Sequence, residues 1–302
     1  MKIHRSYFFV LLASVLWGSV PATAKLLFSD LNGLQILFFS NLFAFLGLLV
    51  FVLSQKKTGI IKSYKARDYL NFGWMGFLGI FLYTLLLLTA LRLLTAQEAF
   101  IINYLWPVMV VIFAIPILKE QVTLKKVLGT ICSFLGVALI VTKGSFSVLQ
   151  FGSMFGVLSA VAGAVIFGLF GVLGKKQNYD KLISMAFYYL VSTVCALVVV
   201  LMFSAIPALT TRQFLGLVWF GTFTSGLAFV FWFLAMKHGD TAKVANMILL
   251  TPFVSLIYIY FLVGEKILTS SVAGLFAIVV GILLQSIEKD KILFFLRQYY
   301  RQ

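Results

Sequence analysis

The sequence predicts an all-α integral membrane protein, with ten transmembrane helices arranged as two inverted five-helix repeats around a central cavity. Three observations carry that prediction. The 302-residue chain is 62% hydrophobic and only 11% charged, with a mean hydropathy of +1.07, which leaves too little polar surface for a water-soluble domain. Apolar segments long enough to cross roughly 30 Å of hydrocarbon recur ten times. The second half of the chain also repeats the first.

The first segment, about residues 6–28, follows Lys2, His4 and Arg5, and "ATA" at 22–24 imitates a signal-peptidase site. Its length suits a retained span, which the repeat also requires. The remaining segments fall near 33–54, 69–92, 95–118, 124–142, 150–174, 182–204, 212–237, 241–263 and 269–287. Short joins such as "SDLNG", "QKKTG", "KKQNYD" and "KHGD" leave little chain for a soluble domain. Basic residues stay on the cytoplasmic side of a membrane. With the N-terminus inside, 19 of the 24 Lys and Arg lie there, and only Lys25, Arg92, Lys143, Arg212 and Lys266 lie outside. Both termini are therefore expected in the cytoplasm of a cell whose inner membrane the chain crosses. The +15 charge belongs to loops beside the bilayer, and no nucleic-acid partner is expected.

A shift of 145 residues superimposes Trp74 and Gly76 on Trp219 and Gly221, Ala90 on Ala235, Pro107 on Pro252, Glu120 on Glu265, Gly129 on Gly274 and Gly136 on Gly281, without a gap. At a shift of 150, "WG" at 17–18 meets "FG" at 167–168, and Lys25 meets Lys175. Five spans per half, an odd number, force the copies into opposite orientations, an architecture whose substrate sites lie near the midplane. The chain divides into a first repeat at 1–145, a second at 146–288 and a basic cytoplasmic tail at 289–302.

Candidate site residues follow from depth. Thr95 and Asp240 are equivalent N-caps, and Thr95 to Glu98 forms a capping box that is the first reading of Glu98, with proton coupling by an intramembrane acid as the lesser alternative. Twelve residues beyond each cap stands a proline, Pro107 or Pro252, which deletes a helical hydrogen bond at mid-depth; Pro21 does so in the first span. These three are candidate hinges. Asn103, Tyr104 and Trp106 share an arc of about 160° with Pro107, and Tyr104 and Trp106 lie roughly 14 to 17 Å inside, too deep for interface anchors. Their amide, phenol and indole suit an amphipathic small molecule. Trp17, Tyr83, Phe167 and Trp232 join the candidate binding set by helix counting. Glu120, Glu265, Lys25 and Lys175, matched in pairs at opposite faces, are either snorkelling interface residues or candidate gates. Gly129, Gly136, Gly274 and Gly281 are expected to form packing faces.

"WGSVPATAK" at 17–25, "NYLWP" at 103–107 and the repeat endings "KEQVTLKKVLGTICSFLGV" and "GEKILTSSVAGLFAIVVGI" resemble the drug/metabolite transporter superfamily, specifically its ten-helix proteins with two EamA repeats. "NYLWP" is similar to the YddG-like aromatic amino acid exporter branch. The resemblance spans about residues 7–288. It implies a helical basket with a central cavity, alternating access and export of amino acids or related metabolites. It also implies that Tyr83, Tyr104 and Trp106 line that cavity, and that Phe167 stands where the branch carries a larger aromatic. The leading expectation is a secondary transporter, not an enzyme. A lipid-carrier flippase of the same superfamily is the alternative. A membrane-embedded enzyme ranks last: His4 and His238 are the only histidines, Cys132 and Cys195 have no local partner, and no metal-ligand spacing or nucleotide-binding loop occurs. No cofactor is expected. The expected partners are a small-molecule substrate and the lipid bilayer, and monomer and homodimer stay equally open.

Overall fold

The computed structural model describes residues 2–27, 31–94, 99, 102–149, 151–264 and 267–286, without the side chains of 2–4, 24–27, 148, 285 and 286. Among them every regular element is a helix. The first half holds α1 (Lys2–Gly18), α2 (Val20–Leu27), α3 (Gly33–Ser54), the short α4 (Thr58–Ser63), α5 (Ala66–Gly76), α6 (Tyr83–Leu93), α7 (Trp106–Leu118) and α8 (Leu124–Val141). The second holds α9 (Met154–Lys176), α10 (Lys181–Phe203), α11 (Thr211–Val218), α12 (Ala228–His238), α13 (Thr241–Met247), α14 (Thr251–Val263) and α15 (Thr269–Ser286). A π-helical stretch joins α5 to α6 at Phe77–Leu82, and another joins α11 to α12 at Trp219–Leu227. Polar caps set the starts: Asn32 with Gln35 for α3, Ser153 for α9, Asp180 for α10, Thr210 with Gln213 for α11 and, as expected, Asp240 for α13.

Among the described residues, and with α1–α2, α5–α6, α11–α12 and α13–α14 each taken as one helix through its break, eight helices are at least 18 residues long and apolar enough to cross a membrane, and two further apolar helices, Trp106–Leu118 and Thr269–Leu284, are shorter. The fourth expected span differs from the sequence reading because its helix is interrupted at Tyr104 and Leu105. Thr95 and Glu98, which were expected to begin it, lie outside the described residues. All three candidate hinge prolines show one pattern: each is the second residue of a helical segment, α2, α7 or α14. They start new helices after a break and do not kink continuous ones, and at that position a missing N–H leaves no gap in the ladder. Before Pro252 the break is a 3-10 turn, Ile248–Leu250, and the Ile248 carbonyl is taken up by the Thr251 hydroxyl at 2.6 Å.

Local structure repeats with the sequence. Residues 66, 93, 106, 118, 124 and 141, shifted by 145, fall on 211, 238, 251, 263, 269 and 286, the ends of the corresponding elements. Even the left-handed residue that stops α7, Lys119 (φ 56°), matches the one that stops α14, Gly264 (φ 80°). Contacts repeat too. A Cβ on Gly76 would lie 2.6 Å from the Tyr188 carbonyl oxygen, and one on Gly221 would lie 2.6 Å from that of Ser40.

Equivalent helices pack antiparallel. In α8 and α15, Gly136 abuts the Gly274 carbonyl and Gly129 abuts Gly281, with the Ser133 hydroxyl donating to the Ile278 carbonyl at 3.2 Å midway between. The four glycines are therefore a packing face, as the sequence suggested. The α3–α10 pair is likewise tied at each end, by Asn32 Nδ2 to Ser204 Oγ (2.8 Å) and by Lys57 Nζ to Asp180 Oδ2 (2.8 Å). Asn41 Nδ2 donates to Ser192 Oγ (2.7 Å) between those ends.

Candidate functional site

The helix breaks and π stretches surround one cavity of about 510 Å³ between the halves. Its lining includes Trp17, Pro21, Tyr83, Asn103, Tyr104, Trp106 and Phe167, seven residues the sequence singled out. The break after Asn103, where Leu105 N–H bonds the Ile102 carbonyl, lets Asn103, Tyr104 and Trp106 face one space. Tyr83 OH donates to Asn103 Oδ1 at 3.2 Å, which orients the amide with its N–H groups available. Trp17, Trp106, Phe167 and Phe229 form a closed aromatic ring, with successive centroids 6.2, 4.8, 5.6 and 5.1 Å apart and every contact near edge-on. Tyr83 lies over Phe167 at 4.4 Å.

Trp232 requires a correction. It is fully buried, and its ring packs edge-on against Trp106 at 5.1 Å from behind, so it supports the wall and does not line the cavity. Pro107 and Pro252 are buried beside the cavity without lining it, and Thr251 and Ile248 stand there instead.

The sequence reading missed the polar side. Ser40, Asn41, Thr84, Tyr189, Thr224, Ser225, Thr251 and Ser255 all line the space. Several satisfy themselves locally: Thr84, Thr224 and Ser255 bond carbonyls four residues back, and Tyr189 OH donates to the Ser225 carbonyl at 2.7 Å. No charged side chain is among the described residues that line it. The described lining thus combines aromatic walls with amide and hydroxyl groups and carries no charge.

One end of the bundle is closed by a cluster that joins the halves. Lys175 Nζ, on the last turn of α9, donates to Glu120 Oε1 (2.7 Å), the Gly239 carbonyl (2.8 Å) and Thr241 Oγ1 (2.8 Å). Glu120 also accepts from the Thr241 N–H and hydroxyl at 3.2 and 2.6 Å. Beside it Lys126 pairs with Asp240 at 2.5 Å. Burial opposes ionisation of Asp240, but the Lys126 ammonium and the Lys243 N–H outweigh it and hold the carboxyl below its usual range. That pair therefore persists at neutral pH and weakens only as pH falls through the depressed value. Between cavity and ion pairs lie the buried rings of Phe170, Tyr188 and Phe233. Glu120 and Lys175, two of the candidate gate residues, thus bind each other and do not extend separately toward the interface; Lys25 and Glu265 lie outside the described side chains. Away from this end, the lining continues to Val20, Leu87 and Phe220.

Known proteins align along most of the chain. An uncharacterized transporter of Bacillus subtilis, YyaM, is 31% identical over 235 residues, 76% of each chain. A second from that organism, YoaV, is 23% identical over 92% of this chain and 95% of its own. An aromatic amino acid exporter of Ancylobacter novellus, YddG, is 25% identical over 59% of this chain and 62% of its own. One solved crystal structure superimposes with a TM-score of 0.81 at 18% identity, covering 92% of this chain and 96% of that one, which establishes the shared fold. The EamA-like transporter family matches twice, at residues 4–142 and 154–287, in agreement with the internal repeat. With two family repeats, membrane-length helices and relatives named as transporters, the chain belongs to the EamA-like transporter family.

Proposed function

We propose that the chain is a ten-span inverted-repeat transporter that exports small neutral or zwitterionic metabolites, foremost amino acids with apolar or aromatic side chains, across the cytoplasmic membrane by alternating access. The observation that carries this reading is the uncharged, aromatic and amide-lined cavity of about 510 Å³ at mid-span, a size suited to a small ligand. A net charge placed there would lack a counter-charge among the lining residues and would be costly. A zwitterion brings none: its carboxylate meets the Asn103 N–H groups, and its ammonium meets ring faces and the Asn41 carbonyl. The distant exporter relative supports the same substrate class. With both termini cytoplasmic, as the Lys and Arg distribution argues, the Glu120–Lys175–Thr241 cluster is the inner gate and the cavity faces outward. Pro21, Pro107 and Pro252 then mark the joints about which the half-helices tilt.

The test is transport by the purified chain in proteoliposomes, under imposed substrate, proton and sodium gradients, with a labelled panel of amino acids and related metabolites. Uptake or efflux of neutral amino acids is the expected result; movement of no member of the panel sinks the reading. Lys175→Gln tests the gate. Losing a charged donor with three partners should raise cytoplasmic-side thiol labelling of Ser225→Cys about tenfold, in a chain with Cys132 and Cys195 replaced by serine. Unchanged labelling would remove Glu120 and Lys175 from the gate.

A further inference from the structure

On the outer surface of α5, at the same end as the ion pairs, a groove of about 770 Å³ is lined by Ala66, Tyr69, Leu70, Gly73, Trp74 and Phe77. Leu70 and Trp74 are 76% and 57% exposed. Gly73 forms the hollow: a Cβ there would meet nothing within 4 Å. Tyr69 OH donates to the Ile61 carbonyl at 2.9 Å, holding the short helix α4 against α5. The approach to the groove is basic. Lys56, Lys62, Lys65 and Arg67 are exposed, and none is ion-paired among the described residues, whereas Lys57, Lys126 and Lys175 at this end all have carboxylate partners. The local acid, Asp68, is engaged by the Lys65 N–H and the Tyr179 hydroxyl, both at 2.8 Å.

We infer that this is a binding site for an anionic glycerophospholipid of the adjoining leaflet. One acyl chain lies in the Leu70–Gly73–Phe77 hollow, and the phosphate is held among Lys62, Lys65 and Arg67. Three features favour that occupant. Four exposed cations, offset only in part by Asp68, which interacts with Lys65 and Arg67, leave positive charge beside a membrane helix that attracts anionic headgroups. Tyr69, on the first turn of α5, brings an amphipathic ring near the start of the span. Lys65 and Arg67 flank Ala66 at one end of the lining, and Leu70, Trp74 and Phe77 follow along the helix, the order of a lipid's own polarity. The site is independent of whatever crosses the central cavity.

Native mass spectrometry of the full chain in mild detergent, titrated with phosphatidylglycerol or phosphatidylcholine of identical acyl chains, reads the site directly. Phosphatidylglycerol should bind about fivefold or more tighter. Lys62→Gln, Lys65→Gln and Arg67→Gln together should bring the two lipids within about twofold, while Lys143→Gln with Arg212→Gln leaves the preference intact. Gly73→Phe fills the hollow and should weaken both lipids alike; should that variant not fold, Leu70→Asn tests the same wall. Equal binding of the two lipids, or a preference that survives the triple variant, overturns the site. Complete displacement by inorganic phosphate, or wild-type binding in the groove variants, overturns the acyl-chain assignment.

Discussion

Gly136→Leu is expected to abolish the folded, monodisperse protein in detergent. The Cβ at this position would lie 2.5 Å from the Gly274 carbonyl oxygen and 3.0 Å from the Ile278 N, so the obstacle is backbone that no rotamer change removes. Overpacking a core costs about 1 to 3 kcal/mol when side chains can adjust, and here the two helices must separate. Separation also breaks the Ser133 to Ile278 hydrogen bond and withdraws the close approach on which helix association in lipid depends. Gly59→Leu is the control, since nothing lies within 4 Å of its Cβ. Size-exclusion profiles and thermal melting of the two variants decide the matter. A Gly136→Leu protein that melts within a few degrees of wild type would mean the α8–α15 contact is not as described.

The second large effect concerns the aromatic ring. Trp106→Ala and Tyr104→Ala are each expected to lower the initial transport rate about tenfold or more at equal amounts of folded protein, while Trp219→Ala stays within about twofold. Trp106 makes ring contacts with Trp17, Phe167 and Trp232 at once, so its loss opens the chamber wall as well as removing a stacking surface. That also costs stability, on the order of 3 kcal/mol or more for a buried tryptophan, which is why rates are normalised to folded protein. Trp219 sets the baseline: it is 40% exposed, is not among the lining residues, and its indole N–H donates to the Ser19 hydroxyl at 3.4 Å. If all three variants transport equally well, substrate does not pass the Trp106 wall.

Much of this arrangement was legible in the sequence, and the exceptions have physical causes. The repeat was visible because glycines, prolines and a matched glutamate recur at one spacing, and the same spacing governs helix ends, left-handed stops and backbone contacts. Counting residues along helices brought Trp17, Tyr83, Asn103, Tyr104, Trp106 and Phe167 to one cavity. It failed for Trp232, which follows the π-helical stretch Trp219–Leu227. The wider turns of a π-helix rotate everything downstream, so counting along the span does not tell which face the indole takes. Hydroxyl residues such as Thr224 and Ser255 carried no visible signal, because serine and threonine in lipid commonly bond their own helix and occur on any face. Asn41 did carry one. An amide in the middle of the apolar run at 33–54, two turns past the capping Gln35, demands a partner, and Ser192 supplies it. Phe229 was hidden among 32 phenylalanines.

The ion-paired end has an implication for energetics once the two copies are compared under the proposed inversion. Glu120 and Lys175 correspond to Glu265 and Lys25, so each end of the molecule owns one such pair in sequence. Lys126 and Asp240, however, correspond to Ser271 and Thr95, and Thr241 corresponds to Ala96. The second ion pair and the hydroxyl that shares Glu120 are thus privileges of one copy's junction. Under the proposed orientation, a latch with more partners at one end than at the other is expected to bias the empty carrier toward the state in which that end stays shut.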